Sequence, residues 1–143
     1  MLVRLALQED CHNLYKWRND KYSLRMFRNS KPVSIEEHER WFSRIILNKT
    51  DKYLFICLNQ KSEKIGVVRF DVKNIEAEIS INIAPEMRGK GLGKDCLKET
   101  CIYAKKHVPN VKVLFAKIKI LNKASQTTFL SAGFNFIKEV DGY

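Results

Sequence analysis

Residues 77–93 read Ala77-Glu78-Ile79-Ser80-Ile81-Asn82-Ile83-Ala84-Pro85-Glu86-Met87-Arg88-Gly89-Lys90-Gly91-Leu92-Gly93. In the first half, apolar and polar residues alternate, which is typical of a β-strand with one face in a core and one polar face. The second half places three glycines within residues 89–93. From Leu92 onward the apolar residues recur with the period of an α-helix. The segment therefore predicts a strand, a tight glycine turn and a helix N-terminus in direct succession.

Two further strands are predicted before this segment. Tyr53–Leu58 and Ile65–Phe70 are apolar and rich in β-branched and aromatic residues, and polar stretches separate them from each other and from Ala77–Ile83. Because these connections are short, the three strands are expected to form an antiparallel meander.

The N-terminal third predicts one strand and two helices. Leu2–Leu7 has the composition of a strand, and a short helix that includes Trp17 follows it. Ser34 and Glu37 have the spacing of a capping box. The second helix is expected to begin there and to end near Asn48.

After the glycine turn, two helices and two strands are expected. The helices are Leu92–His107 and Asn122–Ala132, and the strands are Val111–Ile120 and Phe134–Val140. Together the elements predict one α/β (α+β) domain over residues 1–143, with a mostly antiparallel, twisted sheet of six or seven strands flanked by about four helices.

Composition narrows the classes of protein. The chain has 143 residues, of which 45% are hydrophobic and 29% charged, as expected for one globular domain with a core. No apolar run approaches the roughly 20 residues that cross a bilayer, and the first residues lack the apolar region of a signal peptide. We therefore expect no membrane association and a cytoplasmic location. The four cysteines form no CxxC pair and the three histidines are scattered, so no metal site is predicted.

The formal net charge is +10, which favours polyanionic ligands. Lysine and arginine are spread along the chain without a dense basic block, and no basic stripe is interleaved with aromatic residues. Nucleic acid is therefore not the expected partner.

The glycine turn itself favours a pyrophosphate ligand. Glycines let the backbone approach a ligand closely, and a helix N-terminus presents free N–H groups and the positive end of the helix dipole. No Gly-Lys-Ser/Thr follows, as a Walker loop requires, and the preceding strand belongs to an antiparallel meander, unlike that of a Rossmann fingerprint.

The pattern resembles motif A of the GNAT superfamily of acetyltransferases, Arg/Gln-x-x-Gly-x-Gly/Ala, at Arg88, Gly91 and Gly93. The run from Asn122 to Phe134 looks like the later CoA-contacting helix of that family, and the order of elements is similar over nearly the whole chain. The resemblance implies a GNAT-type fold and an acetyl-CoA-dependent N-acetyltransferase. Acetyl-CoA would be a cosubstrate.

The resemblance also implies which residues hold acetyl-CoA. The pantetheine arm would pair with the open strand edge around Ile81 to Ile83, and Asn122 would contact the same arm. The pyrophosphate would be wrapped by the backbone of Arg88, Gly89, Lys90, Gly91, Leu92 and Gly93.

Catalysis requires a neutral amine, a polarised thioester carbonyl and a stabilised thiolate. Glu78 lies where the family places a carboxylate that deprotonates the amine through water, and Glu76 competes for this role. Backbone N–H groups near Ile81 to Ile83 would polarise the carbonyl. Many members carry a tyrosine where this chain has Phe129, which cannot donate a proton. CoA would then leave as a thiolate or receive its proton from another group.

The sequence ends at Gly142-Tyr143, where the family usually has one further strand. That strand is expected to be missing, to be exchanged within a homodimer or to have been removed.

The acceptor is expected to bind to the N-terminal third. This region contains Trp17-Arg18-Asn19-Asp20, Arg25-Met26-Phe27, Ile35-Glu36-Glu37-His38 and Trp41-Phe42. It resembles the same region of the acetyltransferases of pseudaminic acid biosynthesis, which act on a UDP-linked 4-amino sugar. The implied substrate-binding residues are Trp17, Arg18, Arg25 and His38, although Trp17 and His38 also fit core positions. Acetyltransferases of ribosomal-protein N-termini and of aminoglycosides have similar sequences in this region. A non-catalytic CoA-binding or nucleic-acid-binding regulatory module is the remaining alternative.

Overall fold

The computed structural model describes all residues from 1 to 143. It contains five strands and five α-helices. In chain order they are β1 (Leu2–Leu5), α1 (Cys11–Arg18), α2 (Lys21–Met26), α3 (Ile35–Ile46), β2 (Lys52–Leu58), β3 (Lys64–Lys73), β4 (Glu76–Ile83), α4 (Gly93–His107), β5 (Val113–Phe115) and α5 (Lys123–Ser131). The structure has no helix that is both long enough and apolar enough to span a bilayer.

The strands form one sheet in the order β1-β2-β3-β4-β5. Neighbouring strands are antiparallel except for β4 and β5, which are parallel. β4 pairs with β3 from Glu76 to Ile83, but it pairs with β5 only as far as Glu78. One edge of β4 is therefore unpaired from Ile79 to Ile83.

The sheet is covered on both faces. Alternate residues of β2, β3 and β4 pack against α4 and α5, and the largest fully buried side chains of that layer are Phe55, Phe70, Ile65, Ile79 and Leu97. The opposite face of the sheet packs against α1 and α3 through Leu14, Trp17, Phe42, Leu54 and Ile56. Burial of each such side chain is worth roughly 1.5–3 kcal/mol, so the two cores hold both layers of helices against the sheet.

A buried carboxylate joins β1 to the meander. Asp10 is 0% exposed and accepts hydrogen bonds from Arg4 Nη1 at 2.7 Å and from the Leu7 backbone N–H at 2.7 Å. Lys64 Nζ, on β3, lies 2.7 Å from its other oxygen. A buried charge is tolerated when it is paired and hydrogen-bonded in this way.

The meander, the start of α3 at Ser34 and the end of α4 at His107 were predicted correctly. Ser34 accepts a hydrogen bond from the Glu37 backbone N–H at 3.2 Å. The prediction of six or seven strands was wrong by one or two. The first strand is shorter than expected, and α2 was missed although Asp20 caps its N-terminus by accepting from the Ser23 backbone N–H at 3.2 Å.

The two C-terminal strands differ most from the prediction. Only Val113–Phe115 of the expected strand 111–120 is paired, and Phe134–Val140 forms no strand. A strand requires a neighbouring ladder, and the chain leaves β4 after Phe115. Phe136 and Ile137 remain 71% and 82% exposed as a result.

Candidate active site

A cleft of about 940 Å³ opens where β4 and β5 diverge. It is lined on one side of β4 by Ile81, Ile83, the glycine turn and the start of α5. On the other side of the sheet it is lined by charged residues of β3 and β4 and by residues of α1, α2 and α3. One cavity thus joins the glycine turn to the polar face of the meander.

The glycine turn has the backbone that its sequence predicts. Gly89 and Gly91 have φ values of +74° and +71°, a conformation that strains other residues, and a Cβ at either position would meet nothing within 4 Å. The space beside the turn is therefore open to a ligand. No side chain caps the N-terminus of α4, so its first N–H groups also face that space.

The remaining residues of the turn have different surroundings. Gly93 brings α4 close to α5, because a Cβ there would lie 2.8 Å from Thr128 Cγ2. Gly89, Gly91, Leu92, Gly93 and Lys94 line the cleft. Lys90 is exposed and does not line the cleft.

The side chain of Arg88 is bonded to protein groups. Its Nε donates to the Ile83 carbonyl at 3.1 Å, its Nη1 to Asp20 Oδ2 at 2.7 Å and its Nη2 to Ser23 Oγ at 2.8 Å. Its guanidinium also lies 4.8 Å from the centre of the Tyr22 ring. The side chain therefore fastens the turn to α2 and leaves its backbone beside the cleft.

Asn122 is the N-cap of α5. Its Oδ1 accepts from the Ser125 backbone N–H at 3.1 Å and from the Tyr22 hydroxyl at 3.4 Å. Its side chain is 8% exposed and lines the cleft, and its Nδ2 donates to no protein group. That amide N–H is free for a ligand that lies between β4 and α5.

Two carboxylates face the cleft from adjacent strands. Glu78 lies directly opposite Asp71 in the β3–β4 ladder, so their side chains share a face. Arg28 Nη2 lies 3.7 Å from Glu78, whereas Asp71 lies 3.2 Å from both Lys52 Nζ and Arg69 Nε. Glu78 is 28% exposed and lines the cleft. Glu76 is exposed and does not line it.

His38 lies at the bottom of the α1–α3 side of the cleft. It is 0% exposed, and its Nε2 lies 2.9 Å from the Cys11 carbonyl, which can only accept a hydrogen bond. Nε2 therefore carries the proton, and Nδ1 is a buried acceptor without a protein donor. Burial lowers the pKa of His38 and outweighs the hydrogen bond to Cys11, so the ring is neutral near neutral pH.

Of the other predicted acceptor residues, only Arg18 lines the cleft. Trp17 is 4% exposed and lies in the core beneath α1. Its carbonyl accepts a hydrogen bond from Asn82 Nδ2 at 3.2 Å. Arg25 is exposed and does not line the cleft, so the expectation that its side chain reaches the site is not met. The last turn of α2 directs Arg25 away, and Arg28 lies at the cleft instead.

Asp71, Arg69, Trp41, Arg28 and Tyr22 line the cleft but were missed by the sequence analysis. The sequence did hold one signal. In β3 the charged residues Arg69 and Asp71 alternate with the buried Val68 and Phe70, which places two charges on one face of an otherwise apolar strand. Phe129 is 4% exposed and packs edge-on against Phe134, with ring centres 4.9 Å apart.

The model of a family described as acetyltransferase (GNAT) domain matches residues 1–135. No curated protein sequence matches the chain significantly. Solved structures with a similar fold include a domain from Methanocaldococcus jannaschii (25% identity, TM-score 0.80, covering 98% of this chain and 91% of that one). Another is a spermidine N-acetyltransferase from Vibrio cholerae in complex with CoA and spermine (18% identity, TM-score 0.80, covering 92% of this chain and 79% of that one). A third is a ribosomal-protein-alanine N-acetyltransferase from Brucella melitensis (23% identity, TM-score 0.77, covering 94% of this chain and 85% of that one).

Proposed function

The chain belongs to the GNAT acetyltransferase family and is an acyltransferase, and we propose that it transfers the acetyl group of acetyl-CoA to the amine of a nucleotide-linked amino sugar. One observation carries the acetyl-transfer part. A single cavity joins the glycine turn and the unpaired edge of β4 to the carboxylate of Glu78.

The residues around the cleft fit acetyl-CoA. The open space at Gly89 and Gly91 and the uncapped N-terminus of α4 suit the pyrophosphate. The unpaired backbone from Ile79 to Ile83 offers amide partners for the pantetheine arm, and so does Asn122 Nδ2. In this proposal Arg88 contributes its backbone and holds the turn in place.

Glu78 is the group that prepares the amine. An ammonium must lose a proton before its nitrogen can attack the thioester carbonyl carbon, and Glu78, directly or through water, accepts that proton. The C–N bond forms, the C–S bond breaks and the electron pair leaves on sulfur. The second proton that the nitrogen loses as it becomes an amide passes to solvent or to that sulfur. A backbone N–H on the free edge near Ile81 to Ile83 stabilises the charge that develops on the carbonyl oxygen.

The leaving thiolate has no proton donor at position 129. Phe129 lies in the core and has no hydroxyl. The thiolate is therefore stabilised by the cleft or protonated by water or by a hydroxyl that lines it. Tyr22 is one such lining hydroxyl, and it donates to Oδ1 of Asn122, the expected contact of the pantetheine arm, at 3.4 Å.

The charge of the cleft supports a nucleotide-linked acceptor. Arg18, Arg28 and Arg69 line its acceptor side, and Lys52 pairs with Asp71 at the edge. Cationic side chains attract a diphosphate, and arginine can bind phosphate oxygens with two parallel hydrogen bonds. They would repel a polycation such as spermidine or an aminoglycoside.

The test is an acceptor screen with acetyl-CoA in which free thiol is followed. We expect release with a UDP-linked 4-amino sugar to exceed that with spermidine, an aminoglycoside or an N-terminal peptide of a ribosomal protein. Preference for one of the other three would refute the amino-sugar assignment and leave the acetyltransferase. If no amine causes thiol release and calorimetry detects no binding of CoA, acetyl transfer itself is refuted and a regulatory module becomes the better interpretation.

A further inference from the structure

Two arginines on the acceptor side of the cleft have unused hydrogen-bond donors. The guanidinium of Arg18 lies 4.8 Å from the centre of the Trp41 ring and forms no ion pair or hydrogen bond with the protein. The Nε of Arg69 is buried and has no aligned acceptor, although Asp71 Oδ1 lies 3.2 Å away. Arg18 is partly removed from water and has no ion-pair partner, and the ion pair of Arg69 with Asp71 leaves Arg69 Nε without an aligned acceptor. Donors in this state favour an anion.

Both arginines line the same cleft. Burial lowers the pKa of Arg18, and the positive charge of Arg69 lowers it further. Like charges that face each other across a cavity are unfavourable unless a shared counterion lies between them. Asp71 does not supply it alone, because it is shared with Lys52.

We propose that Arg18 and Arg69 form a subsite that binds an anionic group, a phosphate or a carboxylate, carried by the same molecule that presents its amine to Glu78. This inference rests on the proposed function, which it deepens by assigning the residues that select the acceptor. The shared chemistry is an oxyanion with at least two oxygens, because both guanidiniums are forked donors.

The sheet register sets the distance between the two ends of the acceptor. Arg69 lies opposite Ser80, two residues along β4 from Glu78. The Cα atoms of such diagonal neighbours are about 7–8 Å apart. Glu78 and Arg69 can therefore contact an amine and an anion of one small molecule, whereas a linear polyamine has a second cation where the arginines lie.

Trp41 and His38 complete the subsite. The Arg18 guanidinium lies over the Trp41 ring, 4.8 Å from its centre, and this contact reduces the freedom that binding must remove. His38 Nδ1 is a buried acceptor, and the His38 ring lies beside the Trp41 ring. It would favour a ligand that carries a hydroxyl or amide N–H next to its anionic group.

The test is calorimetry on protein saturated with CoA, so that the glycine turn is already occupied. The titrants are UDP, which carries phosphates, and glucuronate, which carries only a carboxylate. The variants are Arg18→Gln and Arg69→Gln, and the matched control is Arg25→Gln, an exposed arginine outside the cleft. We expect affinity for one or both anions to fall roughly tenfold to a hundredfold in the first two variants and to stay unchanged in the control.

The affinity for CoA and the thermal unfolding midpoint show whether each variant is folded. If Arg69→Gln does not fold, Arg18→Gln decides the question, because the Arg18 side chain has no hydrogen bond or ion pair with the protein to lose. Binding of UDP alone identifies a phosphate and binding of glucuronate alone a carboxylate. The subsite is refuted if neither anion binds, or if Arg25→Gln loses as much affinity as the cleft variants.

Failure of the proposed function gives a different result. Acetyl transfer to a free amino sugar without an anion should have the same kcat in the wild type and in Arg25→Gln, because Arg25 lies outside the cleft. Turnover of that neutral acceptor without any binding of UDP or glucuronate would refute the subsite and preserve the acetyltransferase. Arginine-dependent anion binding without turnover of any amine would refute the acetyltransferase and preserve the subsite.

Discussion

Arg88 Nη1 lies 2.7 Å from Asp20 Oδ2, and this ion pair joins the first residue of the glycine turn to the N-cap of α2. Ser23 Oγ extends the connection, because it accepts from Arg88 Nη2 and bonds to Asn82 on β4 at 3.0 Å. The elements that would hold acetyl-CoA and those that would hold the acceptor therefore share one hydrogen-bond network.

Asp20→Asn should separate the ion pair from the helix cap. Asparagine caps a helix about as well as aspartate, so the variant loses only the charge. Arg88 and Asp20 are 24% and 26% exposed, which places the pair between a surface and a buried one. We expect a loss of about 1–2 kcal/mol in the free energy of unfolding in urea.

Asp20→Ala is the companion variant, since it removes both the cap and the charge. It should cost about 1 kcal/mol more than Asp20→Asn. Equal losses of unfolding free energy in the two variants would show that the cap contributes nothing. An unfolding free energy of Asp20→Asn equal to that of the wild type would show that the ion pair contributes nothing.

Gly91→Asp and Gly91→Asn should differ in CoA affinity although both add a side chain of the same size. Both residues tolerate a positive φ better than most, and nothing in the protein obstructs a Cβ at this position. Only aspartate repels a pyrophosphate. Calorimetry should therefore show weaker binding of CoA to both variants, with a further loss of roughly tenfold or more for Gly91→Asp that shrinks as salt is added. Equal affinities would mean that the pyrophosphate lies elsewhere.

Asp10→Asn should weaken the fold and flatten its response to acid. Burial raises the pKa of Asp10, but hydrogen bonds from Arg4, Leu7 and Lys64 outweigh it and hold the pKa below its usual value. A lowered native pKa means that the stabilisation is present above the unfolded value of about 3.9 and is lost as the pH falls through the native pKa.

Removing one partner of a buried ion pair costs about 3–5 kcal/mol, so Asp10→Asn should lose that much at neutral pH. The difference from wild type should be smaller at about pH 3, below the unfolded value of about 3.9, and should shrink further as the pH approaches the lowered native pKa of Asp10. Urea unfolding at both pH values measures this. Asp51→Asn, at an exposed carboxylate, is the control and should leave both values unchanged.

The sequence predicted the parts of the site that depend on local pattern. The alternation from Ala77 to Ile83 and the glycines after it determine a strand face and a turn by themselves, and the structure has both. The helix expected from Asn122 is also present, and Asn122 is its N-cap.

Contacts between distant elements could not be predicted. Whether Arg25 or Arg28 reaches the cleft depends on where α2 ends, and α2 itself was missed because six residues carry little helical periodicity. The pairing of Asp71 with Glu78 depends on the register of β3 and β4, which a sequence alone does not determine. The strand expected over residues 134–140 has the right composition, but it has no neighbour to pair with.

Glu78→Gln should lower kcat far more than the affinity for acetyl-CoA. Glutamine keeps the shape and leaves the glycine turn and the β4 edge intact, but it cannot accept a proton. A general base typically contributes 10²- to 10⁴-fold, and we expect a loss in this range near neutral pH. The loss should shrink as the pH rises, because a growing share of the amine is then already neutral. The pH profile of kcat/KM for wild type and variant measures it.

Glu76→Gln and Asp71→Asn test whether another carboxylate acts as the general base. Glu76 is exposed and outside the cleft, so its variant should match the wild type at every pH. Asp71 faces the cleft but is held by Lys52 and Arg69, so its loss should affect stability and acceptor KM more than the shape of the pH profile. A deficit in Glu78→Gln that stays constant with pH would indicate a structural role, and a pH-dependent deficit in Asp71→Asn instead would assign the base to Asp71.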